Sequence, residues 1–161
     1  MKPTEYRFSF GPWNISDGAD GAGPAVRPAF TFDWKFDKIR KLGFQAMMLH
    51  DDDVVLDIDA KSARQVRREA REMNRRFTDA GVAIDLVAPR LWSDPRTIDG
   101  AFTSNDKKAR RYAIDRSLRA IEIANIVGCG LVDLCLVREG TYLREAKDFV
   151  SSAGGNPIAK T

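Results

Sequence analysis

Short apolar runs alternate with helical stripes along most of this chain, and that alternation restricts its fold more than any other feature. Phe44 to Leu49 and Val82 to Ala88 are apolar runs of strand length. Between them Ala63, Val66, Ala70, Met73 and Phe77 recur at helical spacing, the stripe of an amphipathic helix from Ser62 to Ala80 that Gly81 stops. A second stripe, Ala109, Tyr112, Ala113, Ala120, Ile121 and Ala124, follows a cap at Asn105 or Asp106, and Gly128 and Gly130 bracket its end. Upstream, Tyr6 to Phe10 alternates as a first strand, and Thr31 or Asp33 caps a short helix through Leu42, with Gly43 as its stop. Downstream, Leu131 to Val137 reads as a fourth strand and Tyr142 to Val150 as a short last helix. Strands alternating with helices imply an α/β fold with parallel pairing and right-handed crossovers. Asp17 to Pro24, rich in Gly, Ala and Asp, reads as a mobile loop. Residues 1–150 are expected to form one domain and residues 151–161 a disordered tail.

Composition excludes several classes of function. At 161 residues the chain can bury one sizeable core. No apolar run approaches a membrane span, and the first residues carry no apolar signal core. Cys129 and Cys135 have neither metal nor redox spacing and read as reduced thiols of a cytoplasmic protein, Cys135 as a small buried hydrophobe. Net charge is +3, with much of the base between Lys61 and Arg76. Those arginines are interleaved with Glu69 and Glu72 and lack an aromatic stacking set, so they read as a solvated helix face and not as a nucleic-acid surface.

The chemistry concentrates where strands end. His50, the only histidine, closes an apolar run and is followed by Asp51, Asp52 and Asp53. Ligands of parallel α/β folds bind outside the carboxyl ends of the strands. Trp13, His50 to Asp53, the loop holding Phe102, and Cys135 to Glu139 all fall there. A histidine with an orienting carboxylate is an acid–base pair, and aromatic walls exclude water around it. Asp51 and Asp52 read as loop and helix-capping acids. Asp85 and Asp133 interrupt buried-looking strands; they pair with arginines, face water, or form a new metal site. The connection from Arg90 to Asn105 is long, and loops of that length are uncommon unless they work.

Several segments together carry a resemblance to a known family. They are Phe8-Ser9-Phe10-Gly11-Pro12-Trp13, Leu49-His50-Asp51-Asp52-Asp53, Asp99-Gly100-Ala101-Phe102-Thr103-Ser104-Asn105-Asp106, Arg110-Arg111-Tyr112-Ala113 and Arg138-Glu139-Gly140. Over roughly residues 8 to 147 the chain resembles the N-terminal half of xylose isomerase, a metal-dependent aldose–ketose isomerase built on a TIM barrel. The resemblance implies a half TIM barrel of about four parallel βα units, since a whole barrel takes ~250 residues. Such a half-barrel leaves two open edges and an apolar inner face, which a homodimer would cover. By the same resemblance His50 is the ring-opening group and Asp53 its orienting acid, with Trp13 and Phe102 as walls of the sugar site. Cys135 stands where the family has a tryptophan. Asp20-Gly21-Ala22-Gly23 replaces the family's Asp-Pro-Phe-Gly, whose phenylalanine reaches a neighbouring subunit. The family's metal ligands and catalytic lysine belong to later strands and have no counterpart here. Mg²⁺ or Mn²⁺ is therefore expected only in a site shared across a dimer, and otherwise no cofactor. Three readings follow: a small sugar isomerase whose dimer builds its metal site, a catalytically inactive protein that pairs with itself or with a full-length isomerase, or a fragment.

Overall fold

The computed structural model describes residues 6–15, 26–137 and 139. Its elements run β1 (Ser9–Phe10), α1 (Phe32–Lys41), β2 (Ala46–His50), α2 (Asp51–Val54), α3 (Ala63–Asp79), β3 (Ala83–Ala88) and α4 (Lys107–Val127), with short 3-10 turns at Pro12–Asn14, Ile58–Ala60 and Pro95–Thr97. The strands form one parallel sheet in the order β1-β2-β3, with Ser9 opposite Ala46 and Met47 opposite Ile84. This is the alternating α/β architecture of a partial barrel. Among the described residues no helix is long and apolar enough to cross a membrane.

Local chemistry accounts for the helix boundaries. The Thr31 hydroxyl accepts the Trp34 N–H to start α1, and Ser62 forms a reciprocal capping box with Gln65 to start α3. The Asp106 carboxylate accepts the Lys108 N–H at 2.9 Å to start α4. Each of these helices is stopped by a glycine in the left-handed region: Gly43 at φ +81°, Gly81 at +67° and Gly128 at +73°. A Cβ there would clash with the following carbonyl.

Strand alternation separates two faces of the sheet. Met47 and Leu49 of β2 join Phe36, Val66, Phe77 and Ile123 of the helices in the main core. Ala46, Met48 and His50, of opposite parity, lie on the other face. The β2–β3 register slips between Met47 and Met48, so Asp85 of β3 is bulged out of the ladder and exposed. Asp133 is exposed too, so both acids face water and join no cluster of metal-type ligands among the described residues.

Both outer strands depart from expectation. The first is two residues long, not five, and Tyr6 and Phe8 stay 78% and 62% exposed. The fourth strand is reduced to one parallel bridge between Val87 and Val132, held by Val87 N–H to Leu131 O and Asp133 N–H to Val87 O, both 3.1 Å. Both segments lie at edges of the sheet and pair with one neighbour only, so few ladder hydrogen bonds hold them extended. The α4 stripe also shifts: Ile121 is exposed, and Ile123, Arg116 and Ser117 are buried instead. In α3, Ala63 is exposed while Val66, Ala70 and Phe77 form the buried stripe. Cys135 is exposed, not buried, because the segment carrying it lacks a second strand to pack on. The readings of Asp17 to Pro24 with Ala22, of Tyr142 to Val150 and of residues 151–161 lie outside the described residues.

Candidate functional site

β2 runs directly into α2 and sets the centre of the site. His50 is the last residue of the strand and the cap of the helix, and the acids Asp51 to Asp53 fill the helix's first turn, where the exposed N–H groups favour negative charge. Asp53 turns back on the cap: its Oδ2 accepts the His50 backbone N–H at 2.8 Å. The same oxygen lies 3.3 Å from His50 Nδ1. That separation is within ion-pair reach, yet Nδ1 makes no aligned hydrogen bond although the imidazole is buried. Burial pushes the Asp53 carboxyl upward, but the imidazole, the His50 N–H and Arg90 together outweigh it and hold the group below the usual carboxylate range. For Asp52 burial prevails over the Arg90 guanidinium and raises the carboxyl.

Two indoles enclose the imidazole. The Trp13 ring is 4.5 Å from the His50 ring, centroid to centroid, and the Trp92 ring is 5.1 Å away, edge-on. Trp13 reaches this place because it lies flat across Gly11: a Cβ there would stand 2.2 Å from the indole's Cε2. Phe102 occupies a separate apolar cluster with Leu91, Ala101 and Ala113. Its loop is tied down by Glu139, whose carboxylate accepts the N–H groups of Ala101, Phe102 and Thr103 at 3.0, 2.9 and 2.8 Å.

Beneath the pair lies a buried ion pair. Asp51, fully buried, takes two bonds from Arg116 of α4, at 2.7 Å from Nε and 3.0 Å from NH2. The Arg90 backbone N–H adds a third at 3.0 Å. Asp51 is thus the joint between β2, the end of β3 and α4, not a loop acid. Burial opposes the charge on Arg116, but its bond to Asp51 wins and raises the guanidinium pKa. Arg116 NH1 also donates to the Tyr112 hydroxyl at 2.8 Å, a group that burial pushes up to about 12. An open groove of about 590 Å³ runs beside this network, lined by Asp52, Asp53, Asp59, Arg90 and Arg116 among others.

His50, Asp52 and Asp53 place one ligand atom each within 4.8 Å of one another. The cation they face is already in the protein. Arg90 Nε lies 2.9 Å from both oxygens of Asp52, and its NH2 lies 3.6 Å from Asp53. Mg²⁺ or Mn²⁺ would need about six oxygen ligands and would have to displace that guanidinium. The group does not fit a resident pair of such ions.

Sequence reasoning picked out His50, Asp53 and Trp13, and the structure brings these together. It missed Trp92, Arg90 and Arg116 and gave Glu139 no role of its own. Arg116 carried a readable signal, since it falls on the apolar stripe of α4, where a charge must find a partner. Trp92 sits in the long connection between Pro89 and Pro95, where periodicity says nothing.

The site is thus an enclosed histidine–carboxylate pair at the end of a strand of a parallel α/β sheet. No family model matches the chain. It is similar to the xylose isomerase of Thermus thermophilus, 30% identical over 163 residues. That alignment covers 92% of this chain and 41% of the relative. The likeness is therefore to part of a xylose isomerase, and the chain spans about two fifths of the length of the curated relative it matches.

Proposed function

We propose that this chain is a xylose isomerase-like protein that binds aldoses and opens their rings with His50 and Asp53 as the acid–base pair. The observation that carries the reading is the His50 imidazole, enclosed by Trp13 and Trp92 with the Asp53 carboxylate 3.3 Å from Nδ1. Asp53 stabilises the imidazolium through Nδ1 and leaves the other ring nitrogen for the sugar. That nitrogen accepts the anomeric hydroxyl proton and returns a proton to the ring oxygen as the C–O bond breaks, giving the open-chain aldehyde. General acid–base help of this kind contributes typically ~10²–10⁴-fold. In this reading Trp13 is one apolar wall of the sugar site, beside Trp92 on the imidazole, and Phe102 supplies a second from its separate cluster with Leu91, Ala101 and Ala113.

The working unit in this proposal is a cytoplasmic homodimer. Its support is the exposure of Tyr6 and Phe8 at one edge of the sheet and of Leu131, Leu134, Leu136 and Val137 at the other. A second copy would pair these edges and close the half TIM barrel. Isomerisation to the ketose would then draw on Mg²⁺ or Mn²⁺ only in a site built by both chains. The test is conversion of D-xylose to D-xylulose by the purified protein with saturating Mg²⁺ or Mn²⁺, beside the rate of α/β anomer exchange by NMR. Either activity above the buffer rate supports the proposal; neither, with the fold intact, rejects it. The second reading, a catalytically inactive oligomerising protein, is favoured by Arg90 lying on the carboxylates and by exposed Cys135 in place of an apolar wall.

A further inference from the structure

The Glu139 carboxylate is a separate feature that the acid–base pair does not use. It faces a run of successive backbone N–H groups, those of Ala101, Phe102 and Thr103. Successive amides pointing into one concavity form an anion-binding nest, and here the anion comes from the chain itself. The contact is doubled on the other side: the Thr103 hydroxyl lies 2.8 Å from Glu139 Oε2 and 2.7 Å from the Glu139 carbonyl oxygen. Charge-assisted bonds of this kind are about twice as strong as neutral ones.

What this contact joins gives it meaning. The segment after α4 touches the sheet through one bridge at Val132, and Leu134, Leu136 and Val137 along it are exposed. Glu139 supplies a second anchor, on the loop that carries Phe102. Between the two anchors Cys135 and Val137 close over Leu91, Trp92 and Ala101, leaving a space of about 10 Å³, barely room for a water. Trp92 is in turn the indole whose ring meets His50.

We infer that Glu139 is a positioning residue: its carboxylate, seated on the Ala101–Thr103 amides, latches the segment after α4 onto the Phe102 loop and sets the aromatic wall of the sugar site. The inference rests on the reading of Phe102 as that wall, and its test has one readout that does not depend on sugar. Hydrogen exchange is measured on the full chain for the wild type, Glu139→Gln and Glu139→Ala. Exchange at Ala101, Phe102 and Thr103 should rise about tenfold or more in Glu139→Ala, with the amides of Ala120 and Ile123 in α4 unchanged. Glu139→Gln, which keeps a carbonyl acceptor but loses the charge, should fall between. D-xylose binding is then followed by tryptophan fluorescence in Glu139→Ala, Phe102→Ala and the double variant. The double variant should bind no more weakly than Phe102→Ala, because Glu139 acts through Phe102, and Glu139→Gln should recover part of the affinity lost in Glu139→Ala. Unchanged exchange at the three amides overturns the latch. Faster exchange with sugar affinity intact, while Phe102→Ala loses it, overturns the positioning role. A wild type that binds no D-xylose rejects the positioning role together with the sugar reading, and the exchange result alone then decides whether the latch exists.

Discussion

Removing Arg116 should be the most damaging single change in the described part of the chain. Asp51 is fully buried and Arg116 nearly so, and their contact is bidentate. In Arg116→Met the carboxylate keeps only N–H donors, from Arg90 and from Asp52, both at 3.0 Å. It has no counter-charge in direct contact. Breaking a buried pair from one side costs about 3–5 kcal/mol, because the remaining charge stays out of water. For a domain of this size that is a fall in melting temperature of about 10 °C. The double variant Asp51→Leu, Arg116→Met removes both charges. It still strands the Arg90 and Asp52 N–H groups, about 1–3 kcal/mol each if unsatisfied, but should be more stable than the sum of the single variants. Urea unfolding of the two single variants and the double variant, with the slope checked for constancy, measures the coupling. A cost below about 1 kcal/mol for Arg116→Met would refute the reasoning, for that is the scale of an exposed pair.

Other consequences can be tested independently. Light scattering at micromolar concentration should show a dimer or larger assembly, and a compact, fully folded monomer would sink the closed half-barrel. If sugar turns over, His50→Ala should lose most of the rate and Asp53→Asn less. Arg67→Ala, on an exposed pair with Glu122, should change it little. Arg96 bonds to Asp94 and holds that carboxyl down to about 2, against about 3.9 in an unfolded chain. The stability this gives is complete above about pH 4 and is lost as pH falls towards 2, so Asp94→Asn should flatten the acid limb of stability against pH. A variant whose acid limb matches the wild type's would show that the Arg96 contact adds nothing in solution.

The sequence predicted well what is set within a few residues. The caps were readable to within a residue or two, as Thr31 or Asp33 and Asn105 or Asp106, of which Thr31 and Asp106 cap; the start at Ser62 and the stops at Gly43, Gly81 and Gly128 were readable because a cap or a left-handed glycine answers to its immediate neighbours. The outer strands were overread because alternation at Tyr6 to Phe10, and apolarity at Leu131 to Val137, show only that a segment can pair. Neither shows how many residues find a pairing partner. Within the site, His50 stood out as the only histidine, at a strand end before three acids, and Asp53 was singled out by the resemblance; the structure adds that the Asp53 carboxylate returns to its own cap. The parts that hold this pair in place join residues far apart in sequence. Asp51 and Arg116 are separated by 65 positions, and Glu139 stands 36 to 38 positions beyond the amides it holds.

This division bears on what the chain can do. The local part, a histidine and its carboxylate at a strand end, survives in the sheet that forms. The distant part decides whether that pair faces a closed site. On one side it is complete, since Asp51, Arg116 and Arg90 fix the β2–α2 turn to α4 from within a single chain. On the other it rests on one bridge at Val132 and the Glu139 contact, with leucines still in water between them. Activity is therefore expected to depend on what covers the 131–137 edge far more than on any change around Asp51 that leaves its charge paired. The two dependences separate experimentally. If the proposed dimer forms, dilution through its dissociation should abolish sugar binding without unfolding the chain, whereas loss of Arg116 should lower the melting temperature by the same amount at every concentration.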